Sequence, residues 1–347
     1  MTASTTTEPI PLEPAESRET ARGPRVPTAG WRVIAAKELG DHLLSARFLV
    51  LLIILGVAAA IPLYFAADQI KSLAPQATGQ KAVFLALFTI GSADYSFLIV
   101  SSFVGIVAPL LGIAFAFDAI NGERAEGTLP RLVSQPIYRD DVINGKFVAG
   151  LSVILIVLVA VVGLISGFGI LRLGITPSAD EIVRLVAWVV VTAIYVGLWL
   201  AFGLLLSVLI RRAATSALVG FGVWLLLVIF GGFIVDLVAN AVSPITGSTA
   251  DTALPQAQLN GFIKQLLPGN LYGDITAVIL NPRENPAQRI PGSIGQLEQA
   301  VQQIPNAAFS VQQSLLLVWP QIVALVALTV ACFVAAYIAF MRQEVRA

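Results

Sequence analysis

The sequence predicts an all-α integral membrane protein with six transmembrane helices. Hydrophobic residues make up 57% of its 347 residues and charged residues only 12%, whereas a soluble domain carries about 25% charged residues. Mean hydropathy is +0.84. Uncharged runs are long enough to cross a hydrocarbon core of about 30 Å, which takes about 20 helical residues. The predicted spans lie near 48–66, 97–117, 147–171, 185–210, 213–235 and 315–341.

The division of basic residues between the two sides of the membrane predicts the orientation. Fourteen of the 21 Lys and Arg residues lie on the side that six spans give to the termini. Because cytoplasmic loops carry an excess of these residues, we expect both termini in the cytoplasm of a bacterial or archaeal cell, with the chain in its plasma membrane. The zero net charge predicts no nucleic-acid partner, and one Cys and one His predict no metal cluster.

Two segments precede the first span. Residues 1–30 hold Thr, Pro, Glu and Arg without an apolar core, and predict a disordered cytoplasmic tail. In residues 31–48, apolar side chains such as Ile34 and Leu39 recur at helical spacing against charged ones such as Lys37 and Asp41. This pattern is typical of an amphipathic elbow helix that lies on the membrane surface.

Two stretches on the opposite side are neither spans nor plain loops. The uncharged run 82–93 is too short to cross, and we interpret it as a surface helix or as part of a long second segment. The outer loop 236–314 contains a semi-apolar island at 262–280, interrupted by Pro268 and Gly269. A broken interfacial or re-entrant helix and a loosely docked loop both fit this island.

The segment 118–146, between the second and third spans, is the most charged short stretch of the chain. Gly127 and Thr128 offer a helix start, Pro130 is tolerated in a first turn, and Pro136 ends the helix. Asp140 and Asp141 then give the third span an acidic first turn. We therefore expect a short helix lying on the cytoplasmic face.

Residues 123–147, reading ERAEGTLPRLVSQPIYRDDVINGKF, resemble the signature of type-2 ABC exporter permeases. The KEL at 37–39 and the Pro-bearing segment 266–282 are also similar to that family, and the resemblance extends over about 31–341. Within the family the chain looks closest to permeases of the copper-enzyme-maturation type, including nitrous-oxide-reductase maturation. Pro130 departs from the polar or acidic residue that the pattern has there.

The resemblance implies that 31–347 is a permease domain and that its 122–136 segment couples to a separate ATPase. By resemblance, the candidate coupling residues are Glu123, Glu126, Gly127, Thr128, Leu129, Arg131, Leu132 and Pro136. It further implies export, two ATPase copies that bind ATP and Mg²⁺, and a second permease copy or a paralogous permease. The chain itself contains no G-x-x-x-x-G-K-[ST] loop, so we expect no ATPase activity, cofactor or metal in it.

Other functions stay open from the residues alone. An intramembrane enzyme needs paired carboxylates or His clusters at membrane depth, and none is apparent; His42, Asp118 and Asp236 are interpreted as surface or boundary residues. An ATPase-independent channel, a secondary carrier or a membrane scaffold without transport remain alternatives. Because the predicted spans lack charge, we expect an apolar or amphipathic cargo in preference to a bare ion.

Overall fold

The computed structural model describes residues 30–73, 84–89, 99–127, 138–242, 259–282 and 309–343, and within these ranges all regular structure is helical. The helices, in chain order, are α1 (Gly30–Leu43), α2 (Ala46–Leu73), α3 (Ala86–Thr89), α4 (Val100–Ala116), α5 (Asn121–Ala125), α6 (Arg139–Leu173), α7 (Ala179–Leu209), α8 (Ala213–Val242), α9 (259–266), α10 (Pro268–Leu280) and α11 (Val311–Met341). The predicted tail lies outside the described residues.

Five to six of these helices can cross a membrane, which confirms the predicted fold class. The helices α4, α6, α7, α8 and α11 are each long and apolar enough, and the pair α1 and α2 passes the same test with a bend of 66°. Since α1 carries Arg32, Lys37, Glu38 and Asp41, the crossing part of that pair is α2. The spans alternate in direction. Helices α1 and α5 therefore lie at one end of the bundle, which we call the α5 end. Helices α3 and α10 lie at the other end, which we call the α10 end.

Helix α7 forms the centre of the bundle. Of its most apolar stretch 72% is buried, compared with 17% for α8 and 11% for α11. It packs against α4 and α11 over most of its length. A Cβ on Gly112 of α4 would lie 2.5 Å from the Val196 carbonyl oxygen of α7, so the two backbones approach each other closely only because Gly112 lacks a side chain.

Side-chain caps fix the start of two spans. At α7, Ser178 and Glu181 form a reciprocal capping box, and at α11 Ser310 and Gln313 do the same. The first turn of α6 contains Asp140 and Asp141, as the sequence predicts. These groups bind backbone N–H groups or favour the positive end of the helix dipole.

The predicted island in the outer loop is a broken helix. Helices α9 and α10 are separated at Leu267, and Pro268 occupies the first turn of α10 instead of interrupting it. The apolar face of α10 is buried against α11, α7 and α4, so it is an integral part of the bundle and not a loosely docked loop. Of the run 82–93 the structure describes residues 84–89, which contain the short α3; the other residues lie outside the described part.

An arginine joins three helices at the α10 end. The side chain of Arg184, on α7, is 1% exposed and bonds to Asp180 at 2.9 Å. It also donates to the Ile279 carbonyl of α10, to the Ser314 hydroxyl of α11 and to the Phe309 carbonyl that precedes α11, at 3.0, 3.0 and 2.6 Å. This residue therefore holds α10 and the start of α11 to the central helix.

Candidate functional site

The segment 122–136, which we call the coupling segment after its predicted role, starts within α5, a short helix that the sequence analysis did not predict. It runs from Asn121 to Ala125, Glu126 is its C-cap, and Gly127 follows with φ +68°. A glycine in this left-handed conformation is the usual end of a helix. Gly127 therefore ends α5. The predicted helix that starts at Gly127 and Thr128 and ends at Pro136 lies, beyond Gly127, outside the described residues.

A buried lysine connects α1, α5 and α6, which contain residues of the two runs that carry the resemblance, 37–39 and 123–147. The Lys146 ammonium, on α6, lies 2.8 Å from the Glu123 carboxylate of α5 and 3.0 Å from the Glu38 carboxylate of α1. The lysine side chain is 5% exposed, Glu38 12% and Glu123 18%. Because burying an unpaired ammonium is very unfavourable, the two carboxylates are what allow Lys146 to be buried in the helix. We call these three residues the Lys146 cluster.

The residue before this lysine brings α1 against α6. A Cβ on Gly145 would lie 2.8 Å from the Ile34 side chain and 2.9 Å from the Trp31 carbonyl oxygen. Any larger residue would push α1 away from α6. Both residues of the Gly145-Lys146 pair thus hold α1 against α6. The glycine permits the close contact between the two helices, and the lysine binds Glu38 of α1.

Buried hydrogen bonds connect the start of α5 to the end of α7. The Ser207 hydroxyl accepts from the backbone N–H groups of Ile120 and Asn121, at 2.9 and 3.2 Å. The Asn121 amide donates to the Ile210 carbonyl at 3.1 Å. Both Ser207 and Asn121 are fully buried, so these bonds are shielded from competing water.

The last helix reaches the same place through one glutamine. The Gln343 side chain accepts from Arg124 of α5 and donates to the Val208 carbonyl of α7 at 2.6 Å. Its backbone carbonyl accepts from Arg139, at the start of α6, at 3.1 Å. Gln343 therefore joins α5 to the ends of α6, α7 and α11.

A polar cavity of about 420 Å³ lies beside these contacts at the α5 end. Arg47 and Asp118 form an ion pair at 2.5 Å on its wall, so Asp118 is not merely a span boundary. His42 also lines the cavity and packs edge-to-face on Phe115 at 5.2 Å. Partial burial lowers the pKa of the His42 imidazole below its usual value.

The structure shows where three of the candidate coupling residues lie. Glu123 faces inward to Lys146, whereas Glu126 and Gly127 are exposed. The others, Thr128, Leu129, Arg131, Leu132 and Pro136, lie outside the described residues. Sequence analysis did not identify Glu38, Lys146, Ser207 or Gln343 as site residues. A charged residue beside an apolar run was the available clue for Lys146, but Ser207 and Gln343 have no recognisable pattern.

The described residues contain no group of three or more His, Cys, Asp or Glu side chains placed to hold a metal ion. The contacts at the α5 end described above are ion pairs and hydrogen bonds between helices.

Comparison with known proteins assigns the chain to a family. Residues 32–345 match the family described as ABC-2 family transporter protein. A protein of Stutzerimonas stutzeri named probable ABC transporter permease protein NosY is 30% identical over 216 residues, which is 60% of this chain and 69% of that relative. These matches confirm the resemblance inferred from residues 123–147. The chain therefore belongs to the ABC-2 transporter family, as an ABC transporter permease that crosses the membrane several times.

Proposed function

We propose that this permease is the membrane-spanning part of an ATP-driven exporter, and that α5 together with the residues up to 136 transmits the motion of a separate ATPase to the spans. One observation carries the proposal: the short α5 segment is bonded to four spans. It continues from α4, binds α6 through Glu123, binds α7 through Ser207 and binds α11 through Arg124. A force on α5 is therefore applied to all four helices.

The nature of these bonds favours transmission of motion over simple tethering. Each joins helix ends through buried or half-buried groups, and such bonds are stronger than exposed ones because water competes less. Elements held in this way move together as rigid bodies. We expect the α5 end to tilt as a unit when an ATPase pulls or pushes on the segment.

The two acidic residues near α5 have different roles in this proposal. Glu123 is turned inward and connects α5 to Lys146. Glu126 is exposed at the end of α5, where a partner can reach it. We assign the ATPase contact to Glu126 and the residues that follow it, and the internal link to Glu123.

Members of the family work with an ATPase and with a second permease. For this chain we propose two ATPase copies that bind ATP and Mg²⁺, two permeases in the complex, export as the direction, and a plasma membrane with both termini on the cytoplasmic side. The α5 end then faces the cytoplasm. The family resemblance and the Lys and Arg distribution support this arrangement.

Charge reversal at Glu126 tests the contact with the ATPase. The permease is first recovered from native membranes with a crosslinker, and the ATPase found with it is purified for binding and hydrolysis assays in nanodiscs. Glu126→Lys should weaken ATPase binding about tenfold, or about 1.4 kcal/mol, with a smaller loss at high salt because exposed charges are screened. Its thermal stability should stay at the wild-type value, since Glu126 is exposed.

Arg212→Glu is the control, because Arg212 is also exposed at the α5 end but lies in the turn between α7 and α8. An equal loss of binding in both variants would show that the loss is not specific to Glu126 and would contradict the assignment, whereas opposite changes of similar size would indicate a general charge effect. Recovery of the permease without any P-loop ATPase would favour the channel, carrier or scaffold alternatives.

A further inference from the structure

A second cavity, of about 490 Å³, opens at the α10 end between α4, α7, α8 and α10. We name it the Tyr272 cavity after a residue of α10 in its wall. Its size falls within the range of about 300–1,000 Å³ typical of small-molecule sites. It lies at the opposite end from α5, so the proposed coupling role does not account for it.

The part of the Tyr272 cavity wall that the structure describes is uncharged. Among the described residues that line it, none is Asp, Glu, Lys, Arg or His. Its polar groups are an amide and the hydroxyls of Ser, Thr and Tyr residues, set among Gly, Ala, Val and Ile. A charged ligand would lose its hydration here and gain no counter-charge, so the cavity disfavours ions.

Two stacked tyrosines form a flat, rigid surface in this wall. The rings of Tyr195 and Tyr272 are 4.5 Å apart and nearly parallel, at 10°. The Tyr272 hydroxyl lies 3.1 Å from the Thr192 hydroxyl, which donates to the Trp188 carbonyl at 2.7 Å. This bond fixes the Tyr272 ring, and Gly105 allows the ring to lie against α4, because a Cβ there would be 2.8 Å from it.

One polar group in the wall has only a weak contact within the protein, to the Tyr272 hydroxyl. The Thr276 side chain is 6% exposed, lines the cavity, and its hydroxyl oxygen has no hydrogen bond of ordinary geometry. Buried polar groups are nearly always bonded, so an unbonded one in a cavity wall indicates a place where a ligand or water completes the bond. It lies one helical turn from Tyr272, on the same face of α10.

We propose that the Tyr272 cavity binds an uncharged amphipathic molecule, with a hydroxyl or amide group of the ligand at Thr276 and its apolar part against the stacked tyrosines. The proposal rests on the permease function and specifies the chemical class of cargo. It agrees with the expectation, from the uncharged spans, of an apolar or amphipathic cargo.

Photolabelling of the purified permease in nanodiscs, without ATPase, tests the site. The probe is octyl glucoside carrying a diazirine in its chain, and labelled peptides are identified by mass spectrometry. We expect saturable labelling of α10 that unlabelled octyl glucoside suppresses. Octyl sulfate and octyltrimethylammonium, which have the same chain and opposite charges, should compete at least about tenfold more weakly, because the wall offers no counter-charge.

A variant that lacks the Thr276 hydroxyl distinguishes an effect on binding from an effect on folding. Thr276→Val keeps the shape of the side chain. It should weaken the competition by unlabelled octyl glucoside about fivefold, which corresponds to the loss of one hydrogen bond to the ligand. Its thermal stability should be unchanged or higher, because the fold loses an unbonded hydroxyl. Thr329→Val, on α11 and away from the cavity, is the control and should leave labelling unchanged.

Absence of saturable labelling on α10, equal competition by the charged probes, or unchanged competition in Thr276→Val would each overturn the proposal. None of these results depends on ATPase coupling, because the ATPase is absent. Conversely, a failure of the Glu126 experiment would contradict the proposed function and leave the binding result intact.

Discussion

Replacing Lys146 by methionine should destabilise the protein by about 3 kcal/mol, since removal of one partner from a buried ion pair typically costs about 3–5 kcal/mol. The substitution keeps an unbranched side chain and removes the ammonium from between Glu38 and Glu123. Glu38 keeps the exposed Lys37 at 3.5 Å, which compensates its charge less well. We take the lower end of that range because the two carboxylates are 12% and 18% exposed, so water reaches them in part.

A neutral triple variant distinguishes unpaired charge from lost packing. This variant combines Glu38→Gln, Glu123→Gln and Lys146→Met, so the Lys146 cluster carries no charge. Its stability should therefore return to within about 1 kcal/mol of the wild type, because replacing a whole buried ion group is often close to neutral. If coupling depends on the charged links, this variant should fold and yet respond less to the ATPase.

Unfolding by sodium dodecyl sulfate in mixed micelles, followed by tryptophan fluorescence, gives the free energies. Lys264→Met is the control, because Lys264 pairs with Asp236 at 3.5 Å at the opposite end and is 46% exposed. This change should cost less than about 0.5 kcal/mol, as for other surface pairs. A loss below about 1 kcal/mol in Lys146→Met, or a triple variant no more stable than the single one, would refute the role of the cluster.

Two further substitutions test close contacts at the two ends. Gly145→Ala should lower the free energy of unfolding by about 1–3 kcal/mol through overpacking, and it should make proteolysis within α1 faster. Gly163→Ala, on the same helix, is the control, because a Cβ there meets nothing within 4 Å. It should change neither the stability nor the proteolysis rate. Arg184→Met should lower the free energy of unfolding by about 3 kcal/mol or more, because two backbone carbonyls lose a buried donor. The rate of amide hydrogen exchange in α10 should rise. Arg172→Met, at an exposed position near the same end, is the control and should leave exchange in α10 unchanged.

Hydrophobicity alone predicted the spans, but several of the helices extend beyond the uncharged runs. The uncharged run of the third span begins at 147, directly after Lys146, whereas α6 begins eight residues earlier at Arg139, so that the predicted acidic first turn at Asp140 and Asp141 precedes the run. A lysine beside an apolar run predicts the end of a span, because an isolated charge inside the membrane is energetically unfavourable. Two carboxylates from distant segments remove this cost, and no local pattern reveals them. The fifth span similarly continues past Asp236 to Val242, with Asp236 bonded to Asn260 at 2.6 Å.

Small residues were a clue to close packing without showing the partner. Glycines of the second and fifth spans are candidates both for a seam with a second permease and for packing within one subunit. The structure places three of them inside the subunit: Gly105 faces Tyr272, Gly112 faces α7, and Gly220 faces Ile113. Gly222 has open space around it. A glycine indicates that something approaches closely, and only the three-dimensional arrangement shows which helix does so.

The two ends of the bundle are connected through the same central helix. At the α5 end, Ser207 holds the start of α5 to α7, and at the α10 end Arg184 holds α10 and the start of α11 to α7. Tyr195 of α7 and Tyr272 of α10 form the stacked wall of the Tyr272 cavity between these points.

If an ATPase tilts the α5 end, we expect α7 to carry that tilt to the Tyr272 cavity as a lever, because packed helices move as rigid bodies. Crosslinking Ser207 to the start of α5 should then leave the motion intact. Releasing α10 with Arg184→Met should uncouple the cavity from ATP hydrolysis while hydrolysis itself continues. Octyl glucoside labelling that responds to ATP equally in Arg184→Met and in the wild type would contradict this path.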